Sequence, residues 1–197
     1  MRKLICLLLI LSPAIQLAAQ HSGYTAVTDI TTFKLQFSEA SQKINTIKSD
    51  FVQEKNLSML SEKITSKGKF WFQKENMVRM EYTQPFQYLM ILNKNDIYIK
   101  DGQKENNIST KSNKLFQQIN QIMVDCVKGS AFSNTDFSIK IFENKQGYLI
   151  EMNPTAKTLK EMFKSINVTV EKKQFSVNSI EMLEVSGDNT IIRFINK

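Results

Sequence analysis

Few residues in this chain of 197 can support catalysis. It has one histidine, His21, and two cysteines, Cys6 and Cys126. A Ser-His-Asp or Cys-His arrangement needs an ordered histidine, and a zinc site needs about four ligands drawn mainly from His and Cys. His21 stands near the start of the chain, where backbones are commonly disordered. We therefore expect neither histidine-dependent catalysis nor a zinc site.

Other cofactor and nucleic-acid chemistry is equally poorly supported. The six glycines stand singly, so no glycine-rich phosphate-binding loop is present. Lysines are interspersed with acidic residues, which is not the pattern of a nucleic-acid-binding face. Most carboxylates fall in turns or alternate outward on strands, as solvated surface charges do. A glycosidase-like pair of carboxylates remains the enzymatic alternative. We expect no enzyme, no cofactor and no nucleic-acid partner.

The first residues have the pattern of a secretory signal peptide. Arg2 and Lys3 precede an apolar run over 4–11, and small residues follow up to Ala19. Pro13 and its polar neighbours interrupt the run before it reaches the roughly 20 residues of a membrane span. We expect residues 1–19 to be removed and residues 20–197 to form one domain. The formal net charge then falls from +7 to +5, and a single thiol remains, which cannot form an intrachain disulfide.

Apolar spacing predicts three helical segments. Between Asp29 and Ile47 apolar residues recur every three or four positions, as on one face of an amphipathic helix, with Thr28 or Asp29 as the cap. A second stripe runs over 115–127. A short helix is expected between Pro154 and Phe163, with Pro154 in its first turn.

The rest of the chain alternates with a period of two, which predicts strands. Turn residues separate them, as at 73–76, 93–96, 144–147 and 186–189. The strands are expected near 47–57, 62–73, 77–83, 88–93, 97–101, 136–143, 148–153, 164–172, 175–185 and 190–195. This pattern predicts a mainly β chain with helices, of class α+β, built on one strongly curved antiparallel sheet of about 10–11 strands.

Soft apolar side chains are abundant. The sequence has thirteen phenylalanines and nine methionines, and methionine adapts its shape to irregular or variable contents. These residues either fill a solid core or line a cavity, and composition alone leaves both possibilities open.

Residues 66–100 combine several features in a fixed order: Gly68, the aromatic strand Phe70-Trp71-Phe72, the second strand Val78 to Tyr82, the turn Thr83-Gln84-Pro85 and an apolar strand over 89–92. This succession resembles the outer-membrane lipoprotein carrier family, LolA. The first strand over 47–53, with its Phe-x-Gln, and the segments 149–154 and 187–194 are also similar to the family.

The resemblance implies a half-barrel whose apolar concave face forms a lipid-binding cavity under a helical lid. Strand alternation independently places Phe70 and Phe72 on one side of their strand and Val78, Met80 and Tyr82 on one side of the next, in agreement with the cavity-facing residues that the resemblance implies. They are expected to be Phe51, Phe70, Phe72, Val78, Met80, Tyr82 and Met90. The lid is expected to present Leu115, Ile119, Ile122, Met123, Leu159, Met162 and Phe163. Where the family has an arginine that holds the empty lid closed, this chain has Lys74, which keeps the charge but not the planar fork of donors.

The resemblance also implies a function. The expected role is that of a monomeric periplasmic chaperone that takes the acyl chains of lipoproteins from an ATP-driven release complex of the inner membrane. It would deliver them to the outer membrane or to a receptor there. The alternatives are a carrier of another amphiphile, such as a glycolipid or a lipidic pigment precursor, and a non-transporting periplasmic domain for lipid sensing or interaction.

Overall fold

The computed structural model describes residues 21–73, 77–93, 96–109, 122, 124–126 and 135–197. Within them, twelve strands form one antiparallel sheet in the order β1-β8-β9-β10-β11-β12-β2-β3-β4-β5-β6-β7. The strands are β1 Thr25–Ala26, β2 Thr46–Leu57, β3 Glu62–Gln73, β4 Met77–Gln84, β5 Tyr88–Asn93, β6 Asp96–Asp101, β7 Lys104–Ser109, β8 Phe137–Glu143, β9 Gly147–Pro154, β10 Phe163–Glu171, β11 Val177–Glu184 and β12 Asn189–Ile195. Because β1 and β7 have no outer neighbour among the described strands, the sheet is an open half-barrel, and the predicted fold class is confirmed.

Two strands were not predicted. Strand β7 has a polar sequence with no alternation, and β1 is two residues long, so neither carries a period-two signal. Both lie at the edges of the sheet, where pairing with a single neighbour defines them. The ten predicted strands agree with β2 to β6 and β8 to β12, mostly to within one or two residues.

The first helix, α1, is shorter than its apolar spacing predicts. It spans Ile30–Gln42, and the Asp29 carboxylate caps it by accepting a hydrogen bond of 2.9 Å from the Thr32 amide. Ile44 and Ile47 follow the helix but pack against the same core from a turn and from β2. Because both residues enter the same core as the helix, the apolar spacing of three to four continues beyond the last helical turn.

The other helices are short in the described part of the chain. Residues 122 and 124–126 are helical, in agreement with the second predicted stripe. The short helix predicted between Pro154 and Phe163 is present as α2, which spans Lys157–Lys160. Pro154 is the last residue of β9 and does not start this helix, because β9 continues to pair with β8 as far as Phe137.

The core lies on one face of the sheet, which we call the concave face. It consists of the inward-pointing residues of the strands and includes Met80, which is 1 % exposed, together with Phe51, Phe70, Val168 and Ile180. The opposite face carries polar pairs. There the Arg79 guanidinium group lies 5.1 Å from the Trp71 ring and 2.8 Å from the Glu81 carboxylate. The predicted alternation of β3 and β4 is therefore present in the structure.

Gly68 allows an aromatic ring to approach the backbone of β3 closely. An added Cβ at this position would be 2.8 Å from the Phe51 ring and would also overlap the Glu81 carbonyl oxygen. The Phe51 ring packs edge-on against Tyr82 of β4 at a centroid distance of 4.9 Å. The small residue at 68 thus permits the close contact of three strands at the centre of the concave face.

Replacing Gly68 with alanine is expected to lower the free energy of unfolding by about 2–3 kcal/mol, because the methyl group must displace backbone or the Phe51 ring. Urea unfolding followed by the fluorescence of Trp71, the only tryptophan, measures this change. Lys67→Ala, at the exposed neighbouring position, is the control and is expected to change stability by less than about 0.5 kcal/mol. Equal stability of the two variants would contradict the packing argument.

Candidate functional site

An open cavity of about 550 Å³ lies at one end of the concave face, and we call it the mouth pocket. It lies where the end of α1 meets the first residues of β2 and the segments around β11 and β12. Its volume is within the usual range for a small-molecule site, roughly 300–1,000 Å³. Its lining residues are Lys43, Ile44, Asn45, Thr46, Ile47, Lys48, Ser49, Phe70, Gln174, Ser176, Val177, Phe194 and Lys197.

The inner wall of the mouth pocket is apolar and continuous with the core. The Phe70 and Phe194 rings meet edge to face at 4.9 Å, and both side chains are buried. Ile44, Ile47 and Val177 are half-buried and pack against the same core. An apolar chain entering the pocket would therefore meet the concave face directly.

Helix α1 covers another part of the concave face through two aromatic side chains. Phe33 and Phe37 are the only buried residues of its thirteen. Their rings form an aromatic cluster with Tyr148 and Phe175, in which the Phe33–Tyr148 and Phe37–Phe175 centroids are 4.7 and 5.8 Å apart. Since the remaining residues of α1 are half-buried or exposed, this cluster anchors the helix to the sheet.

The predicted cavity residues lie together on the concave face. Six of the seven are buried and Tyr82 is half-buried. Burial, assisted by the nearby Tyr88, raises the pKa of Tyr82 to about 12, so its hydroxyl stays protonated and donates a 2.9 Å hydrogen bond to Gln53. Phe70 is the one member of the predicted set that also lines the mouth pocket.

The predicted lid residues are only partly within the described chain. Ile122, Leu159 and Phe163 are buried, and Met162 is half-buried against the core. Phe163 belongs to β10, and α2 ends before it. Four positions lie outside the described residues, so their roles stay predictions: Lys74, Leu115, Ile119 and Met123.

His21 differs from its expected disorder. Its Nε2 lies 2.9 Å from the Glu151 carboxylate, and its ring packs edge-on against Phe142 at 5.0 Å. Burial opposes ionisation of Glu151, but hydrogen bonds from Asn153 and His21 prevail and lower its pKa. The contact fixes the start of the described chain to β9. Among the described residues, no serine, threonine or cysteine hydroxyl or thiol hydrogen-bonds to this ring.

The described residues contain no group of three or more His, Cys, Asp or Glu side chains arranged to hold a metal ion. Nor do they contain a helix that is both long enough and apolar enough to span a membrane.

The Cys126 thiol is fully buried, and its Sγ lies 4.0 Å from the Met152 sulfur. Burial, reinforced by the neighbouring Asp125, raises its pKa, which suppresses the reactive thiolate.

Cys126 is the one cysteine of residues 20–197, so the labelling rate of that protein reports on this thiol. The folded protein is expected to react with a thiol reagent at least about 100-fold more slowly than the protein in denaturant. Timed alkylation with mass detection measures the ratio. Rapid labelling of the folded protein would show that this helical segment opens readily.

Several residues of the candidate site were missed by the sequence reasoning. Phe194 and Val177 fall on predicted strands, and Ile44 falls on the predicted first helix. Nothing in their local sequence separates them from other core positions, because the mouth pocket forms only where three distant segments meet. The aromatic cluster had a partial signal, since the spacing of Phe33 and Phe37 predicted one buried face.

Comparison with known proteins places this geometry in a family. The family model of the outer membrane lipoprotein carrier protein LolA matches residues 42–197. None of the curated proteins compared with the chain matches it.

Similar solved structures include three bacterial proteins. A LolA superfamily protein from Nitrosomonas europaea is 9 % identical, with coverage of 83 % of this chain and 91 % of that one and a TM-score of 0.40. A putative outer membrane lipoprotein-sorting protein domain from Vibrio parahaemolyticus is 9 % identical, with 82 % and 88 % coverage and a TM-score of 0.40. The Mycobacterium tuberculosis lipoprotein LppX is 9 % identical, with 85 % and 94 % coverage and a TM-score of 0.44.

The family match covers α1's last residue and every strand from β2 to β12, which includes the concave face and every lining residue of the mouth pocket. The chain therefore belongs to the LolA family of outer membrane lipoprotein carrier proteins.

Proposed function

We propose that this protein carries the acyl chains of lipidated proteins across the periplasm, sheltered against its concave face. Cargo would come from an ATP-driven release complex of the inner membrane and pass to the outer membrane or a receptor there. Membership of the lipoprotein carrier family supports this role. The carrier itself breaks no covalent bond in this proposal.

The observation that carries the proposal is the mouth pocket, because it joins solvent to an apolar interior. Its wall contains Phe70 and Phe194 and leads to the buried side chains of the concave face. Each methylene group exposed to water costs about 0.8 kcal/mol, so two acyl chains of ordinary length cost on the order of 20 kcal/mol. A carrier that covers such chains removes most of this cost.

Uptake requires the concave face to open, since its side chains are packed together in the empty protein. Methionines are well suited to this change because they repack at low cost. Met80, Met90, Met152 and Met182 are all buried there. We propose that α1, the helical segment containing Ile122, and the segment from α2 to Phe163 act as the movable cover.

The remaining parts of the proposal concern processing and location. Residues 1–19 would direct export and be removed, and residues 20–197 would act as a single periplasmic domain. Phe51, Phe70, Phe72, Val78, Met80, Tyr82 and Met90 would contact the acyl chains. Lys74 would contribute to closing the cover when the carrier is empty.

The direct test is a release assay. Residues 20–197 are incubated with inner membranes that contain lipoproteins and the release complex, with and without ATP. The expected result is lipoprotein in the soluble fraction, bound one-to-one to the carrier, only when ATP and carrier are both present. Lipoprotein that stays in the membrane would contradict the proposal. Mass spectrometry of the carrier's bound lipid would then identify a glycolipid or another amphiphile as the cargo.

A further inference from the structure

The rim of the mouth pocket is cationic. Its lining includes Lys43, Lys48 and Lys197 but neither aspartate nor glutamate. Among the ion pairs of the described residues, none involves Lys43 or Lys48. The Lys197 ammonium group donates to two neutral acceptors, Ser176 and Asn178. The pocket thus presents positive charge beside an apolar wall.

A buried hydroxyl without a partner lies in the same pocket. Ser49 is 7 % exposed, and its Oγ has no hydrogen-bond partner in the described part of the protein. It follows Ile47 on the inward-pointing side of β2, so it belongs to the apolar wall and not to the outer face. A buried donor left unpaired costs free energy, which a ligand oxygen reaching Ser49 would recover.

The carboxyl end of α1 lies at this pocket and carries partial negative charge, which opposes anion binding. Two of its last four carbonyl groups are already engaged, since Ala40 and Ser41 accept hydrogen bonds from the amides of Lys43 and Ile44 at 3.2 and 3.1 Å. Three lysine side chains line the same pocket, so positive charge outweighs this partial negative charge at the rim.

We propose that the mouth pocket binds the anionic head group, a carboxylate or a phosphate, of an amphiphile whose acyl chain lies against Phe70 and Phe194. Ser49 donates a hydrogen bond to the head group, and Lys43, the C-cap residue of α1, supplies positive charge at the rim. This inference rests on the acyl-chain binding of the proposed function and adds a second class of ligand, free anionic amphiphiles, because the acyl chains of a lipidated protein are linked through uncharged ester or amide groups.

The experiment compares amphiphiles that share one acyl chain. Palmitate, palmitoyl lysophosphatidic acid and neutral methyl palmitate each displace a fluorescent fatty acid from residues 20–197, below the concentrations at which they form micelles. The wild-type protein is expected to bind at least one of the two anions about 10-fold more tightly than the ester. The comparison of palmitate with the lysophospholipid shows whether a carboxylate or a phosphate is preferred.

Lys43→Gln and Ser49→Ala are each expected to reduce the ratio of anion affinity to methyl palmitate affinity by about 3-fold to 10-fold. Lys34→Gln is the matched control, because Lys34 is exposed on the same helix and does not line the pocket. Equal binding of the anions and the ester by the wild-type protein, or an unchanged preference for the anions in both variants, would overturn the head-group site and leave acyl binding intact. Binding of none of the three compounds would overturn the proposed function as well.

Discussion

Replacing Phe37 with alanine is expected to lower the free energy of unfolding by about 3–5 kcal/mol and to open the concave face to solvent. Phe37 is completely buried and packs against Phe33 and Phe175, with ring centroids 5.8 Å away in both cases. Because Phe37 is one of the two buried residues of α1, the loss of its ring removes a large part of the helix's apolar contact with the sheet. Urea unfolding followed by near-ultraviolet circular dichroism measures the loss of stability.

Binding of an apolar fluorescent dye to the folded variant separates local opening from global destabilisation. If α1 is a cover, Phe37→Ala binds the dye more strongly than the wild type under conditions in which Trp71 still reports a folded sheet. Leu35→Ala is the matched control, since Leu35 is on the same helix but 60 % exposed. It is expected to change stability by less than about 1 kcal/mol and dye binding not at all. Equal dye binding by both variants would mean that α1 does not cover the face.

Alternation in the sequence was sufficient to predict most of the sheet. Strand β3 shows why, since Phe70 and Phe72 are buried while Gln73 is exposed and Trp71 lies half-buried under Arg79. One buried face imposes period two on the residues, and the pattern survives in a single sequence. Strand β7 has no such constraint, because its pairing with β6 depends on backbone groups that every residue possesses.

The end of α1 was harder to predict for a related reason. Apolar spacing records which residues enter the core, but it does not record the backbone that carries them there. Ile44 and Ile47 enter the core from beyond Lys43, where the chain has left the helix. No glycine or proline marks the transition, so the spacing continued without an interruption in the sequence.

The candidate site also has one part that the sequence could predict and one part that it could not. The concave face follows from strand parity, so its residues could be predicted individually. The mouth pocket forms where residues 43–49, 174–177 and 194–197 converge, and that convergence depends on β12 pairing with β2 across the middle of the sheet. Pairing between the first and last long strands leaves no local trace in either segment. The sequence around Ser49 does not indicate that this polar residue is buried in the pocket.

An aspartate at Ile47 is expected to weaken acyl-chain binding by about 100-fold while the protein stays folded. Ile47 is half-buried in the wall of the mouth pocket, so its replacement is hydrated in the empty protein and costs about 1–2 kcal/mol of stability. An acyl chain in the pocket would dehydrate the carboxylate. A carboxylate in an apolar environment costs about 2.5–3.5 kcal/mol on the membrane-insertion scale, which corresponds to roughly two orders of magnitude in the dissociation constant.

The probe must be uncharged, because an added carboxylate also repels anionic ligands. A fluorescent fatty-acid ester meets this requirement, and its titration against residues 20–197 gives the dissociation constant. Ile91→Asp is the matched control. Ile91 pairs with Arg79 and Tyr98 on the neighbouring strands, on the face of the sheet that points away from the core. The same substitution there is expected to leave ester binding within about 2-fold of the wild type. If Ile47→Asp bound the ester as tightly as Ile91→Asp, acyl chains would not enter through the mouth pocket. The concave face would then have to be reached from another side, such as beneath α1.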